Sequence, residues 1–171
     1  GPLRQLDLDT HQITTRGDVP IDVYYRSLVW RSPNRDRVFL HQTGTDSPWG
    51  CIFDAPSDTF LSSGQRYHSG AFSPDGKYLA TQYGLSSGEP TCRILDSTMG
   101  VVSEFYQGPV LAYAFSPDGE RLYYAERITG ELVTVSTADW SEISRVDTKY
   151  RFDAAHRMAV SDDGLWIFVE A

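Results

Sequence analysis

His68 and His156 hold the same place in two similar stretches of sequence, each five residues before the serine of a Ser-x-Asp-Gly turn. Two imidazoles brought together could hold a divalent metal or work as an acid–base pair. Ser27 stands at the matching place of a third stretch and Leu111 in a fourth, so no third metal ligand shares that register. The plainer reading, a polar residue at the start of a strand that bonds backbone, is therefore the stronger one. Asp75, Asp118 and Asp163 also recur in step with the repeat. Each belongs to its own turn, where an aspartate bonds back to nearby backbone, and turn chemistry accounts for all three. His41, Asp46 and Ser47 can be assembled into a nucleophile set, but no Gly-x-Ser-x-Gly elbow accompanies them. No Gly-rich phosphate loop, no metal-spaced Cys or His cluster and no cofactor fingerprint is present. The sequence thus assigns no catalytic residue, no metal and no cofactor.

The elements that would position these residues are set by repetition. Ala71-Phe72-Ser73-Pro74-Asp75-Gly76-Lys77-Tyr78-Leu79-Ala80 and Ala114-Phe115-Ser116-Pro117-Asp118-Gly119-Glu120-Arg121-Leu122-Tyr123 are near-duplicates. A third copy around Ser161 has lost its proline. A fourth, around Ser32, reads as carrying a turn two residues longer. The four serines are 41, 43 and 45 residues apart, the drifting period of a four-stranded propeller blade. Within each repeat, short apolar–polar alternating runs predict four strands, about sixteen in all, and no helix. Proline presets φ for the first central position of the turn, and glycine accepts the left-handed position.

Blade boundaries follow at about 22–62, 67–107 and 111–147. Residues 3–16 match the third and fourth strands of a blade, with Asp9-Thr10 where Asp96-Ser97 stands, and residues 155–171 match the first and second. Gly1-Pro2 reads as the remnant of tag removal. The expected fold is all-β: a β-propeller of four antiparallel four-stranded blades per chain, one blade split between the two ends. Because natural sheets avoid unpaired edges, three closures are open. The chain closes a four-bladed ring on itself, or pairs with a copy into eight blades, or forms a slice of a longer propeller. For the first, residues 3–10 would pair beside 165–170.

Composition narrows the partners. The formal charge of −8, with basic residues scattered, excludes general attraction to nucleic acid or anionic membranes. No apolar run is long enough to span a bilayer as a helix. Cys51 and Cys92 read as buried free thiols, a disulfide being the alternative, and neither reading fixes a compartment.

The repeats resemble the prokaryotic YVTN and WD40-like propeller families, which share the apolar–Ser-Pro-Asp-Gly core of residues 72–76 and 115–119 and an Asp-Thr or Asp-Ser after the third strand, here Asp9-Thr10 and Asp96-Ser97. The resemblance implies fold alone, since those shared residues are structural. The expected function is non-catalytic binding or scaffolding, with a protein, ahead of a carbohydrate, recognised through one face. Candidate binding residues are His68, His156 and Ser27 at the channel mouth and the strand-end aromatics Trp49, Tyr67, Tyr83, Tyr106 and Trp140. Two alternatives stand beside it. One is a metal-assisted hydrolase or lyase at the channel mouth. The other is a structural or sensor segment of a larger protein. Self-association to complete a larger propeller is a further partner expectation.

Overall fold

The structure is a computed structural model that describes residues 2–6, 9–18, 27–34, 36–42, 50–61, 67–84, 92–105, 110–150 and 157–170. Those residues hold sixteen strands and no helix. The first two are β1 (Pro2–Leu6) and β2 (Ile13–Asp18), an isolated hairpin. Three antiparallel meanders follow. The first contains β3 (Ser27–Arg31), β4 (Arg37–Gln42), β5 (Gly50–Asp54) and β6 (Thr59–Leu61). Next come β7 (Tyr67–Phe72), β8 (Leu79–Tyr83), β9 (Cys92–Leu95) and β10 (Val101–Phe105). The third sheet is β11 (Val110–Phe115), β12 (Arg121–Glu126), β13 (Glu131–Ser136) and β14 (Glu142–Asp147). A second hairpin, β15 (Met158–Val160) with β16 (Ile167–Val169), ends the described chain.

The second sheet packs between the first and the third, so both faces of β8 are buried. Phe39 and Ile52 of the first blade meet Tyr67, Leu79 and Leu95 of the second in one cluster. Ala80, Cys92 and Ile94 of the second meet Tyr113, Tyr124 and Val133 of the third in another. Met158 and Val169 of the last hairpin rest on Ala112 and Ala125. Burying an aromatic or aliphatic side chain of this size contributes about 1.5–3 kcal/mol, so the spaces between blades are where the fold is held.

All four first-to-second-strand turns share one construction. The amide N–H of Ser73 donates to the carbonyl of Tyr78, and the hydroxyl of Ser73 accepts from the Tyr78 amide at 3.0 Å. Ser116 does the same with Arg121 and Ser161 with Trp166. Ser32 pairs with Arg37 in the same way. The expected longer turn around Ser32 is therefore corrected: its span equals that of the others. What differs is the carboxylate, because Ser32 donates to Asp36, four residues on, at 2.9 Å. In the other three turns the serine donates to an aspartate two residues on.

The third-to-fourth-strand turns carry a second repeated device. His11, Asp58, Met99 and Trp140 all sit at positive φ, between 53° and 68°. Each stands just before a fourth strand, or before β2 in the case of His11. A left-handed residue closing a short loop is the usual way to twist such a hairpin correctly. The register agrees: Phe53↔Phe60, Leu95↔Val101, Val135↔Glu142 and Leu6↔Ile13 pair the residue two past the left-handed position in every case. The β1–β2 hairpin thus shares the turn and register of the third and fourth strands of the three sheets.

Among the described residues β1 pairs only with β2, and β16 only with β15. The pairing of residues 3–10 with 165–170 expected for closure within one chain does not occur among the described residues. The inner strands β3, β7, β11 and β15 lie side by side in chain order, which makes an arc of three four-stranded sheets followed by the β15–β16 hairpin.

Candidate interaction surface

An antiparallel meander sends its first-to-second and third-to-fourth turns to one end and its remaining connections to the other. That sorting separates the sequence-predicted residues. Trp140, in the β13–β14 turn, lies at the turn end. Its half-buried ring meets the Tyr78 ring edge-on, centroids 5.2 Å apart, and so clips the third blade to the second. The opposite end is formed by the strand ends around Ser27, Tyr67, His68 and Tyr83.

At that connection end, Ser27 starts β3 opposite Gln42, and His68 lies near the start of β7 opposite Gln82. Ser69 then bulges out of register before Gly70 pairs with Thr81. A bulge in the third blade falls at Leu111, one residue earlier in register, at the place of His68. Both inner strands are kinked where they reach the connection end, as bulges do near sheet rims. His156, Trp49 and Tyr106 lie outside the described residues.

Tyr67 and Tyr83 form a pair of unequal members. Tyr67 is fully buried, its Cβ against Gly50 and its ring in the core cluster of Phe39 and Leu79. It is a packing residue and offers no ring face to a partner. Tyr83 sits 6.0 Å from it, centroid to centroid, and is half-buried. The guanidinium of Arg93 lies 3.3 Å over the Tyr83 ring, a cation–π contact. Arg93 Nε is 2.5 Å from the Glu104 carboxylate, an ion pair whose N–H does not point along a hydrogen-bond direction. Tyr83, Arg93 and Glu104 thus stand in a row across β8, β9 and β10.

A second charged cluster is not visible in the sequence. Arg145 on β14 binds Glu126 at 2.8 Å, Glu131 at 2.7 Å and Glu142 at 2.8 Å. The Glu126 side chain is only 5% exposed and also accepts from the Thr129 hydroxyl. Hydrogen bonds that Arg145 donates to Glu142, then to Glu126, raise its pKa further above the ordinary value. The cluster spans the second to fourth strands of one blade, so only the pairing register reveals it.

The turn carboxylates behave as fixed structural anions. Burial acts to raise Asp75, but the Ser73 hydroxyl and the Lys77 ammonium and amide outweigh it and hold the carboxyl at about 2. The Ser116 hydroxyl lowers Asp118, and the Ser161 hydroxyl lowers Asp163. Among the described residues no group of three His, Cys, Asp or Glu side chains is placed to hold a metal ion. The large exposed apolar side chains include Leu165, Trp166 and Phe168 of the final hairpin, all above 60% exposure.

The fold is that of a β-propeller. Among solved structures, the chain is similar to hydrazine synthase of Kuenenia stuttgartiensis, with TM-score 0.65 and 16% identity over 90% of this chain and 45% of that one. It is also similar to the WD40 repeats of RRP9, with TM-score 0.54 and 16% identity over 69% of this chain and 37% of that one. The chain therefore spans less than half the length of either structure. No protein-family model matches it, and no curated protein does.

Proposed function

We propose that this chain is a non-catalytic binding propeller that recognises a protein partner at its connection end. The observation that carries the reading is the Tyr83–Arg93–Glu104 row, half-buried and held rigid by strand pairing. Tyrosine and arginine preset against each other are the residue types that dominate protein interfaces, because they bring large contact area at little ordering cost. Similarity to a WD40-repeat structure supports the same reading, since repeat propellers present a broad face of connections on a rigid scaffold. Ser27 and His68, near the starts of β3 and β7, belong to this reading as polar residues of the connection end, and His156 belongs to it by its sequence register alone. Trp49 and Tyr106, in the segments that join β4 to β5 and β10 to β11, belong to it as further aromatic contacts. Trp140, at the opposite end, serves to join blades.

The test is a comparison of two substitutions. Partner proteins captured by the intact chain should be lost with Tyr83→Ala, by tenfold or more in affinity, and kept with Trp140→Ala. Equal capture by both variants, each shown to be folded, overturns the assignment of the binding end.

A further inference from the structure

Arg93 is a cation with a fixed orientation and an unused outer edge. β9 places it between Thr81 of β8 and Glu104 of β10, near the connection end. Its guanidinium lies 3.3 Å over the Tyr83 ring, which stands 6.0 Å from the ring of fully buried Tyr67. The core thus holds one ring, that ring backs the second, and the second sets the guanidinium plane. Glu104 takes the Nε side, and Nε is the buried nitrogen of the group. Nη1 and Nη2 are neither buried nor hydrogen-bonded among the described residues.

We propose, on the reading that the connection end is the binding end, that Nη1 and Nη2 of Arg93 receive one carboxylate of the protein partner, an aspartate or glutamate side chain. Two N–H donors in a fixed plane match the two oxygens of a carboxylate, and such charge-assisted pairs are about twice as strong as neutral hydrogen bonds. A backbone carbonyl offers a single oxygen and leaves one nitrogen of the fork unmatched. Ordering a long side chain is a main cost of using arginine at an interface, and the Tyr83 contact has already ordered this one.

Glu104 decides between anions. It brings the Arg93 site near neutrality, and the chain as a whole carries −8. An incoming anion is therefore drawn by hydrogen-bond geometry more than by net charge. A phosphate group carries about −1.5 to −2 at neutral pH and meets more repulsion from Glu104 than a singly charged carboxylate does. Removing the Glu104 charge should accordingly tighten the carboxylate.

NMR titration of the chain with N-acetylglutamate α-amide, whose one charge is its side-chain carboxylate, tests the proposal. The Arg93 Nε–Hε and Tyr83 amide signals should shift saturably at millimolar probe. N-acetylglutamine α-amide, of the same shape but neutral, should move neither. Arg93→Lys keeps the charge and loses the fork, so it should weaken the probe about tenfold, read at the Tyr83 amide. Glu104→Gln should tighten it severalfold. Equal binding of the glutamine analogue, unchanged binding to Arg93→Lys, or weaker binding to a folded Glu104→Gln variant overturns the proposal. Inorganic phosphate binding more tightly than the probe overturns it too. The binding end is judged separately. A partner protein that Arg93→Lys captures as well as the intact chain does, while Tyr83→Ala loses it, leaves the binding end standing and removes the carboxylate.

Discussion

A Cβ placed on Gly119 would lie 3.6 Å from Cδ of Pro74, so the serine turn of the third blade rests against that of the second. The relation repeats: a Cβ on Gly164 would lie 3.9 Å from Pro117, and one on Gly76 would lie 3.1 Å from Asn34. Proline and glycine therefore do two things here. They shape each turn, and they stack neighbouring turns at the same end of the arc.

That stacking makes substitutions at the two glycines unequal. Gly119 at φ 77° and Gly76 at φ 73° both adopt the left-handed region, which costs an ordinary side chain about 1–2 kcal/mol. At Gly119 the added carbon meets only van der Waals contact, so Gly119→Ala should cost about that amount. At Gly76 the added carbon also forces Asn34 to move, so Gly76→Ala should cost more. Valine at either position should cost on the order of 1–3 kcal/mol from backbone strain alone. Chemical denaturation of the variants checks the order. Equal losses from the two alanine substitutions would contradict it.

Acid should act on the same turns. Asp75 has an ordinary pKa of 3.8 and is held at about 2 in the fold. A folded value below the unfolded one means that the stabilisation is complete above pH 3.8 and fades as pH falls toward 2. Asp118 and Asp163 are shifted in the same direction. Asp75→Asn should therefore be less stable than the unsubstituted chain at neutral pH, and the difference should shrink across that acid window. Thermal melts at several pH values measure it. A gap that is constant down to pH 2 would show that the carboxylate's charge does not matter.

The thiols should be inert. Burial pushes Cys51 up to about 12 and Cys92 higher still, with the Tyr113 phenol opposing only in part. Only the thiolate reacts, so an aromatic disulfide reagent at pH 8 should label neither in the native protein and both after unfolding. Rapid stoichiometric labelling of the native chain would place a cysteine outside the core.

The sequence made the blades readable because their period is carried by turn residues with local physical reasons. Ser73, Asp75 and Gly76 need no distant partner to be understood, and the Ser-x-Asp-Gly spacing alone places strand ends within about two residues. The span of the Ser32 turn is not legible in the sequence because Asp36 stands where a longer turn would put its aspartate, and only the Ser32–Arg37 bonding shows the true span. The left-handed positions at His11, Asp58, Met99 and Trp140 were hidden because none is a glycine. Tyr67 and Tyr83 look alike as strand-end aromatics. Contact with the neighbouring blade buries one and leaves the other half-exposed. The Arg145 cluster required three strands to be aligned before its charges met. Local chemistry was legible, then, and contacts between strands and blades were not.

The central claim is that the chain meets its partner at the connection end, where Arg93 lies over the Tyr83 ring, and hydrogen exchange with and without the captured partner tests it most directly. With the partner bound, the amides of residues 67–69 and 82–84 should exchange more slowly. The serine turns at 73–78 and 116–121, at the other end, should exchange at an unchanged rate. Slower exchange in those turns with no change at the connection end would contradict the claim.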